Sequence, residues 1–335
     1  MLPTMGQIHT SALLSNISIG YHNGMFVADR LFPHVTVTKQ SDKYAIFLKG
    51  AWFRNEALPR APGADAPRSG YHVSSATYSC IEYAGAKEVP IEHINNADAA
   101  IRPWESAVKF ATSQVQLKKE VMARDAIFAG SVFTNEEDAA GGWAGTTDGS
   151  GNTFIADVLK AKEAIRKLIG VYPNVLLMDA GTFNEIKQEY TVLERIKYTG
   201  TSGAPADVTL QTLAQLFELD EILLGGAIRS DAEEIMDGTD FNSVNLWEDT
   251  ATKGSALLYY RNPSPALWEP STGYTFSWNG GAGQASSKLA SSGYRHVRYW
   301  WEDSPKQWVV EASECFDIKI CSADSGYLFT DTIAT

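Results

Sequence analysis

A chain of 335 residues, 44% apolar and 11% aromatic, is long enough for one large domain or for two to three modest ones with a real core. Its formal charge of −12 argues against a dedicated nucleic-acid binder, because phosphate affinity comes mainly from clustered Lys and Arg. The same charge is compatible with an acidic wall that repels a nucleic acid rather than gripping it. No apolar run reaches the about 20 residues that cross a bilayer. The first residues, Met1 to His9, show neither a basic n-region nor an apolar h-region, so no secretory signal is expected. Cys80, Cys315 and Cys321 are odd in number and not spaced for zinc, which predicts free, mostly buried thiols in a reduced compartment.

Residues 1–42 alternate weakly and stop at Phe32-Pro33; proline removes an amide donor and suits extended or edge positions. Tyr44 to Lys49 reads as a strand. Asn55 to Gly70, with Pro59, Pro62, Pro67, Gly63 and Gly70, reads as a mobile loop. Val73 to Tyr83 reads as the return strand, rich in Tyr, Thr and Val. The whole excursion is too long for a tight hairpin and is expected to be unable to bury itself against its own domain. It is most useful if it lies on a neighbouring copy.

Pro103-Trp104 opens the longest predicted helix, which ends near Ala129-Gly130; proline suits the first turn, where its missing N–H has no partner. Trp104, Ala107, Val108, Ala111, Val115, Met122 and Ala126 form its apolar face, with Lys109, Lys118, Lys119, Glu120 and Arg124 mostly elsewhere. At about 1.5 Å per residue it is roughly 40 Å long, the length of a structural spar. A Gly-rich connector over 130–152 leads to a second helix, Thr153 to Ile169, with Ile155, Val158, Leu159, Ile165, Leu168 and Ile169 inward. Val175 to Met178 is a short buried strand. Thr182 to Glu185 carries a capping-box pattern. Thr209 caps a helix through Phe217, and Glu221 to Leu224 is another strand. Five β segments follow: Ser255–Tyr260, Tyr274–Trp278, Tyr294–Trp301, Trp308–Ala312 and Cys315–Cys321.

Charge is placed unevenly. From Lys43 to His72, Lys43, Lys49, Arg54, Arg60 and Arg68 stand against Glu56 and Asp65, a balance of +3. From Glu218 to Asp249, ten acids, among them Glu233, Glu234 and Asp237, stand against Arg229, a balance of −9. Such asymmetry can steer copies of one chain together, and equally describes two solvated faces. Lys49, Arg54, Arg60, Arg68, Glu233, Glu234 and Asp237 are the candidate contacts between subunits.

Catalytic, cofactor and metal sites are not expected. Gly281 to Ser286 is only a fragment of a dinucleotide loop. Asp148 to Asn152 lacks the bidentate Glu of a calcium loop, and Asp237 to Asp240 is similar. The six histidines are scattered, and there is no Gly-x-Ser-x-Gly elbow. Trp300-Trp301 could stack bases, but adjacent strand residues face opposite sides, which favours one Trp in the core and one at an interface.

The stretch Val27-Ala-Asp-Arg-Leu-Phe-Pro33, then Lys39 to Tyr44, resembles the N-arm and first arm strand of tailed-phage major capsid proteins. Tyr78 to Ala84 with Val89-Pro-Ile91 resembles the return strand and the turn into the long helix. Pro173 to Met178 is similar to the central α/β block, and Ser322 to Asp331 to the closing strand. The order of these parts is a stronger signal than any one of them. The resemblance implies an α+β phage-capsid shell fold, shared with encapsulin compartments. Its parts would be an N-arm over 1–42, an extended loop over 43–90, a peripheral domain with the long spine helix over 91–153, an axial α/β domain over 154–264 and a return to the peripheral domain over 265–335.

It also implies a structural role: assembly with itself into hexamers and pentamers of an icosahedral shell in the virion, made in the host cytoplasm. Packaged double-stranded DNA would be a partner by proximity, without sequence specificity, and no membrane is implied. A portal, a decoration protein and a separate scaffolding protein are the expected helpers, since about 42 residues before the arm leave no room for an internal scaffold. Some relatives cross-link neighbours through a Lys–Asn isopeptide bond; Lys49 and Asn279 have suitable side chains but stand in no matching context. An encapsulin-type shell is the alternative within the fold. An α/β hydrolase-like or carbohydrate-active enzyme is the alternative from another class, and no paired catalytic residues support it.

Overall fold

A computed structural model describes residues 23–97, 102–145, 150–197, 208–232, 241–248, 253–264, 270–278 and 295–333. In chain order they form α1 (Ala28–Leu31), β1 (His34–Val37), β2 (Ser41–Phe47), α2 (Lys49–Trp52), β3 (Val73–Ser79), β4 (Ile81–Pro90), α3 (Ile91–Asn96) and α4 (Pro103–Ile127). Then come β5 (Asn135–Asp138), α5 (Phe154–Ile169), β6 (Val175–Asp179), α6 (Ala180–Gln188), α7 (Tyr190–Lys197), α8 (Leu210–Leu216), β7 (Glu221–Gly225), β8 (Ile228–Ser230) and β9 (Ser243–Asn245). The last elements are β10 (Ala256–Tyr259), β11 (Gly273–Trp278), β12 (Arg295–Glu302), β13 (Gln307–Ile320) and β14 (Gly326–Thr330).

Two sheets organise the chain. The first is built on β13, a 14-residue strand. Its residues 307–316 pair antiparallel with β4 on one side. On the other side, 307–314 pair with β12 and 316–320 with β11, and β1 joins β11 in parallel. The spine helix α4 lies on β4 and β13. Ala107 packs with Val89 and Val310, and Ala111 and Val115 pack with Ala312. The approach is close: a Cβ on Gly85 of β4 would stand 3.1 Å from the Ala111 carbonyl oxygen, so glycine lets the strand sit against the helix.

The second sheet runs β5-β14-β10-β6-β7, with β6 and β7 parallel. All five residues of β6 and all four of β10 are buried, so both faces are covered and the strands read as unbroken apolar runs. Leu176, Met178, Ala256 and Leu258 point into a core with α5, α6 and α8. Val175, Leu177, Leu257 and Tyr259 point the other way, into a core with Val27, Leu31, Phe32, Trp247 and the end of the spine helix at Ala123 and Ile127. Phe316 and Ile318 of β13 reach the same core, which joins the two sheets.

The remaining expectations are adjusted in specific ways. The return strand is broken at Cys80: β3 pairs with β2, whereas β4 pairs with β13. The 130–152 connector holds a strand, β5, parallel to β14. Trp308–Ala312 and Cys315–Cys321 are one strand, because Ser313 and Glu314 are buried and do not interrupt it. The cap of α6 is Asp179, whose side chain accepts the Thr182 N–H at 3.0 Å, so the capping box expected at Thr182–Glu185 is replaced by an earlier start. Thr209 does cap α8, reciprocally with Thr212. Leu159, expected inward, is 50% exposed. The Asp148 and Asp237 loops and the 281–286 glycines include or consist of residues outside the described ones. Among the described residues no cluster of metal-ligating side chains occurs.

The spine helix carries a direct test of this packing. Val115 is 2% exposed, and Val115→Asp would bury an unpaired carboxylate. The expected loss is several kcal/mol, on the order of 3 or more, read as a fall in the urea midpoint of unassembled subunits.

Candidate functional site

Two surfaces and one internal clasp carry the chemistry of this fold. The first surface is the arm. β2 and β3 pair from Ser41↔Ser79 to Phe47↔Val73, and the chain between them projects as a long tip. The residues expected as a loop, Asn55 to Gly70, contain no helix or strand. The tip exposes large apolar groups: Trp52 at 56%, Phe53 at 65% and Leu58 at 68%. Tyr71 stacks loosely on Trp52 and Phe47, with ring centroids 5.7 and 6.0 Å away, and with Leu58 and Pro67 it helps line an open hollow in the tip.

The base of the ribbon rests on its own chain, with Tyr44 and Tyr78 packed on Phe276 and the Ser79 N–H donated to Asp317, and beyond it Lys49 and Phe53 add two further contacts, which corrects the expectation that the arm finds no support there. Lys49 Nζ donates to Asp324 at 2.5 Å, and Asp324 also accepts the Thr134 hydroxyl at 2.6 Å. Burial pushes the Asp324 carboxyl up, but Lys49 and Thr134 outweigh it and leave it below the ordinary carboxylate range. The Phe53 ring lies over Gly170, the left-handed C-terminal residue of α5; a Cβ there would come within 3.2 Å of the ring. Lys49 is therefore already engaged at the root of the arm. Among the described residues Arg54 pairs with Glu56, at 3.5 Å, and 70% of its side chain is exposed. Arg60 and Arg68 are exposed, with no ion pair among the described residues.

Glu233, Glu234 and Asp237, proposed from the sequence as the acidic counterpart, lie outside the described residues, as does Asn279. Several described acids of the same block are used within the chain. Glu221 pairs with Arg30 and, at 2.6 Å, with Arg261. Asp220 accepts Asn174 Nδ2 at 3.0 Å.

The clasp was not foreseen. Lys119 and Glu120, expected on the polar face of the spine helix, are 1% and 0% exposed. Glu120 accepts the Val27 N–H at 2.9 Å, the Ala28 N–H at 2.8 Å and Trp247 Nε1 at 2.7 Å. It thereby fills the open N-terminal amides of α1, where an anion is favoured. Burial pushes its pKa up, against the lowering effect of the three donors. Lys119 Nζ reaches Asp29 at 2.7 Å and also Glu314, and Arg295 bridges the same two acids, holding Glu314 at 2.8 Å. Burial raises the Asp29 carboxyl, but the two cations hold it below its ordinary value. The neighbouring His34 is pushed down to about 4, first by burial and then by Lys119, so it is neutral at pH 7. On the opposite side, Tyr259 donates its hydroxyl to the Leu31 carbonyl at 2.7 Å, with Phe32 packed edge-on to its ring. Residues 27–34 are thus strapped to the spine helix, to β12 and β13 and to the second sheet at once.

A sequence signal for the clasp existed. Ala107, Ala111, Val115, Lys119, Ala123 and Ile127 recur every fourth residue, so the buried stripe runs straight through Lys119.

The second surface is β12. Tyr299, Trp300 and Trp301 are 37, 36 and 37% exposed, so the expectation of one core Trp fails. Tyr299 and Trp301 pack around Trp308, and Tyr299 also meets Trp104 at the start of the spine helix. Among the described residues, Trp104 at the start of the spine helix is the aromatic group that covers Tyr299 and Trp308 on this face.

An N-terminal strap, a projecting β arm, a long helix laid on a sheet and a separate five-stranded α/β layer make up this fold. Known proteins share it. No family model matches the chain. It is 26% identical over 324 residues to a major capsid protein of the Burkholderia phage BcepMu, covering 95% of each chain. Its structure aligns with that of a phage-related protein from Bordetella bronchiseptica at a TM-score of 0.65 and 24% identity, over 94% of this chain and 95% of the other. The mature capsid protein of bacteriophage PhiM1 aligns at 0.59 and 10% identity, over 98% and 93%. An encapsulin is among the structures that share the fold. The chain has the shell fold of tailed-phage major capsid proteins, as the order of its segments implied.

Proposed function

We propose that this chain is the major capsid subunit of a tailed phage and that it assembles with itself into the pentamers and hexamers of an icosahedral shell around double-stranded DNA. The observation that carries the reading is the arm: a paired β ribbon whose tip leaves Trp52, Phe53 and Leu58 more than half exposed beside Arg54, Arg60 and Arg68. Apolar surface of this kind on a projection marks a contact site, and a head-to-tail contact that closes gives rings. Residues 43–90 would act as the extended loop, 1–42 as the N-arm, 91–153 and 265–335 as the peripheral domain and 154–264 as the axial domain. The name carried by the curated relative favours a genome shell over an enzyme compartment. On this reading the chain's work is structural, its setting is the virion after synthesis in the host cytoplasm, and a scaffolding protein, a portal and a decoration protein are its helpers. Negative-stain microscopy of the purified chain tests it: shells or rings of five and six support the reading, and a lone monomer opposes it.

The basic arm is proposed to meet acidic surface on an adjacent subunit, with the block around Glu233, Glu234 and Asp237 as one partner. Exposed pairs contribute only about 0–1 kcal/mol each, but they recur in every subunit and act on encounter rate. Reversing Arg54, Arg60 and Arg68 together to Glu should slow assembly, followed by light scattering, most at low ionic strength. Salt should shrink the difference, because the screening length falls to about 3 Å at 1 M. An unchanged rate at every salt concentration would assign the arm contact to apolar and backbone groups.

A further inference from the structure

The outer edge of β12 pairs with no strand among the described residues; Arg295–Glu302 holds no lysine, no proline and no bulge against β13, and the charges towards its end, Arg298 and Glu302, are opposite in sign. Exposed edge strands usually carry lysine, proline or a bulge to prevent pairing with another chain. β4, the opposite edge of the same three strands, follows that rule with Lys87, Glu88 and Pro90. β12 instead presents Arg298-Tyr-Trp-Trp-Glu302, with its three aromatic side chains more than a third exposed.

We propose that β12 pairs antiparallel with β12 of a second copy across a two-fold axis through Trp300. The proposal rests on the shell reading above and names a second self-contact, separate from the arm. Charge fixes the register. With Trp300 facing its own copy, Arg298 stands opposite Glu302 twice, and Tyr299 stands opposite Trp301 twice. Moving the axis by one residue in either direction opposes Arg298 to Trp300 or Ser304 and loses both ion pairs. Side chains alternate along a strand, so Arg298, Trp300 and Glu302 share one face and Tyr299 and Trp301 share the other. Each face then carries complementary groups: charge around an indole on one, packed aromatic rings on the other.

The side chains are held ready for this pairing. Arg298 is anchored to Glu311 at 2.7 Å and lies 5.6 Å from the Trp300 ring centre, yet 59% of its side chain is exposed. A guanidinium has five N–H donors, so a second carboxylate fits beside the first. Glu302 is steadied by Gln307 Nε2 at 2.9 Å and Trp300 Nε1 at 3.2 Å. The contact is self-complementary, as a two-fold interface requires, and a closed icosahedral shell supplies such axes between its rings.

Cysteine cross-linking tests the register residue by residue. Facing residues in an antiparallel pair have Cα atoms about 4.5–5.5 Å apart, within the roughly 4.4–6.8 Å that a disulfide spans. Trp300→Cys, Tyr299→Cys and Trp301→Cys are made singly and oxidised with diamide, both as assembled material and as soluble subunits. Native Cys80 and Cys315 are buried, and the parent protein gives the background from Cys321. Trp300→Cys should give covalent dimers on a non-reducing gel. Tyr299→Cys and Trp301→Cys should give several-fold fewer alone and recover when mixed. Adding Glu302→Arg to Trp300→Cys, which opposes like charges twice, should cut the dimer several-fold while the circular dichroism stays that of the parent. Dimer no greater than the parent's for Trp300→Cys, or greater for Trp301→Cys alone, overturns the proposal. Microscopy of the same samples reads shell formation separately: shells without the cross-link refute this contact alone, and cross-linked protein without shells refutes the shell reading alone.

Discussion

Glu120→Leu should be among the most damaging single substitutions in this chain. Leucine fills similar space but accepts no hydrogen bond, so the N–H groups of Val27 and Ala28 and the indole of Trp247 lose their shared acceptor. Each buried donor left unpaired costs about 1–3 kcal/mol, and the sum is on the order of 3 kcal/mol or more. Glu120→Gln keeps one acceptor oxygen and should lose less than half as much. The loss should be local before it is global. Freed from Glu120, the segment 27–34 should open and become a site of early proteolysis, leaving Lys119 and Arg295 to share Glu314 without Asp29 of the strap. Urea unfolding of unassembled subunits measures the first effect and limited proteolysis the second. A Glu120→Leu protein with the parent's urea midpoint and the parent's cleavage pattern would show that apolar packing of Leu31 and Phe32 alone holds the strap.

Deleting Asn55 to Gly70 should have the opposite profile: little change in subunit stability and a large loss of assembly. The deleted residues are exposed except Glu56, which is partly covered, and contribute nothing to either core. The hairpin pairing of β2 with β3 and the Lys49–Asp324 bridge lie outside the deletion and remain. Arms laid over neighbours link many weak contacts, so their removal is felt in proportion to the number of subunits joined. Soluble, folded subunits that form no stable shells are the expected product. Normal particles from the deletion would show that the arm is dispensable, and a subunit that fails to fold would show that the tip supports its own chain through more than Phe53.

Much of the fold was legible because burial leaves a period. The spine helix announced itself through Pro103 and the apolar face that includes Trp104, Ala107, Ala111 and Val115, and β6 through its unbroken Val-Leu-Leu-Met run. The misreadings at β13 and at the clasp share one cause: polar residues that are buried with partners distant in sequence. Ser313-Glu314 looked like a break in β13, but Glu314 is buried against Lys119 and Arg295. Lys119 and Glu120 looked like a solvated face for the same reason, since their partners lie about 90 residues away or more. Leu159 erred in the other direction, an apolar residue one step off the inward face of α5. The arm residues were marked by composition and charge alone. Periodicity reports burial within one chain and carries no information on contacts between copies.

A cryo-electron microscopy reconstruction of the purified, assembled chain at side-chain resolution measures the central claim most directly. The expected result is a closed icosahedral shell of pentamers and hexamers in which the 55–70 tip of each copy lies on the adjacent one, bringing Trp52, Phe53 and Leu58 out of solvent. A particle in which every arm contacts only its own subunit, or a protein that stays monomeric at every concentration, would contradict it.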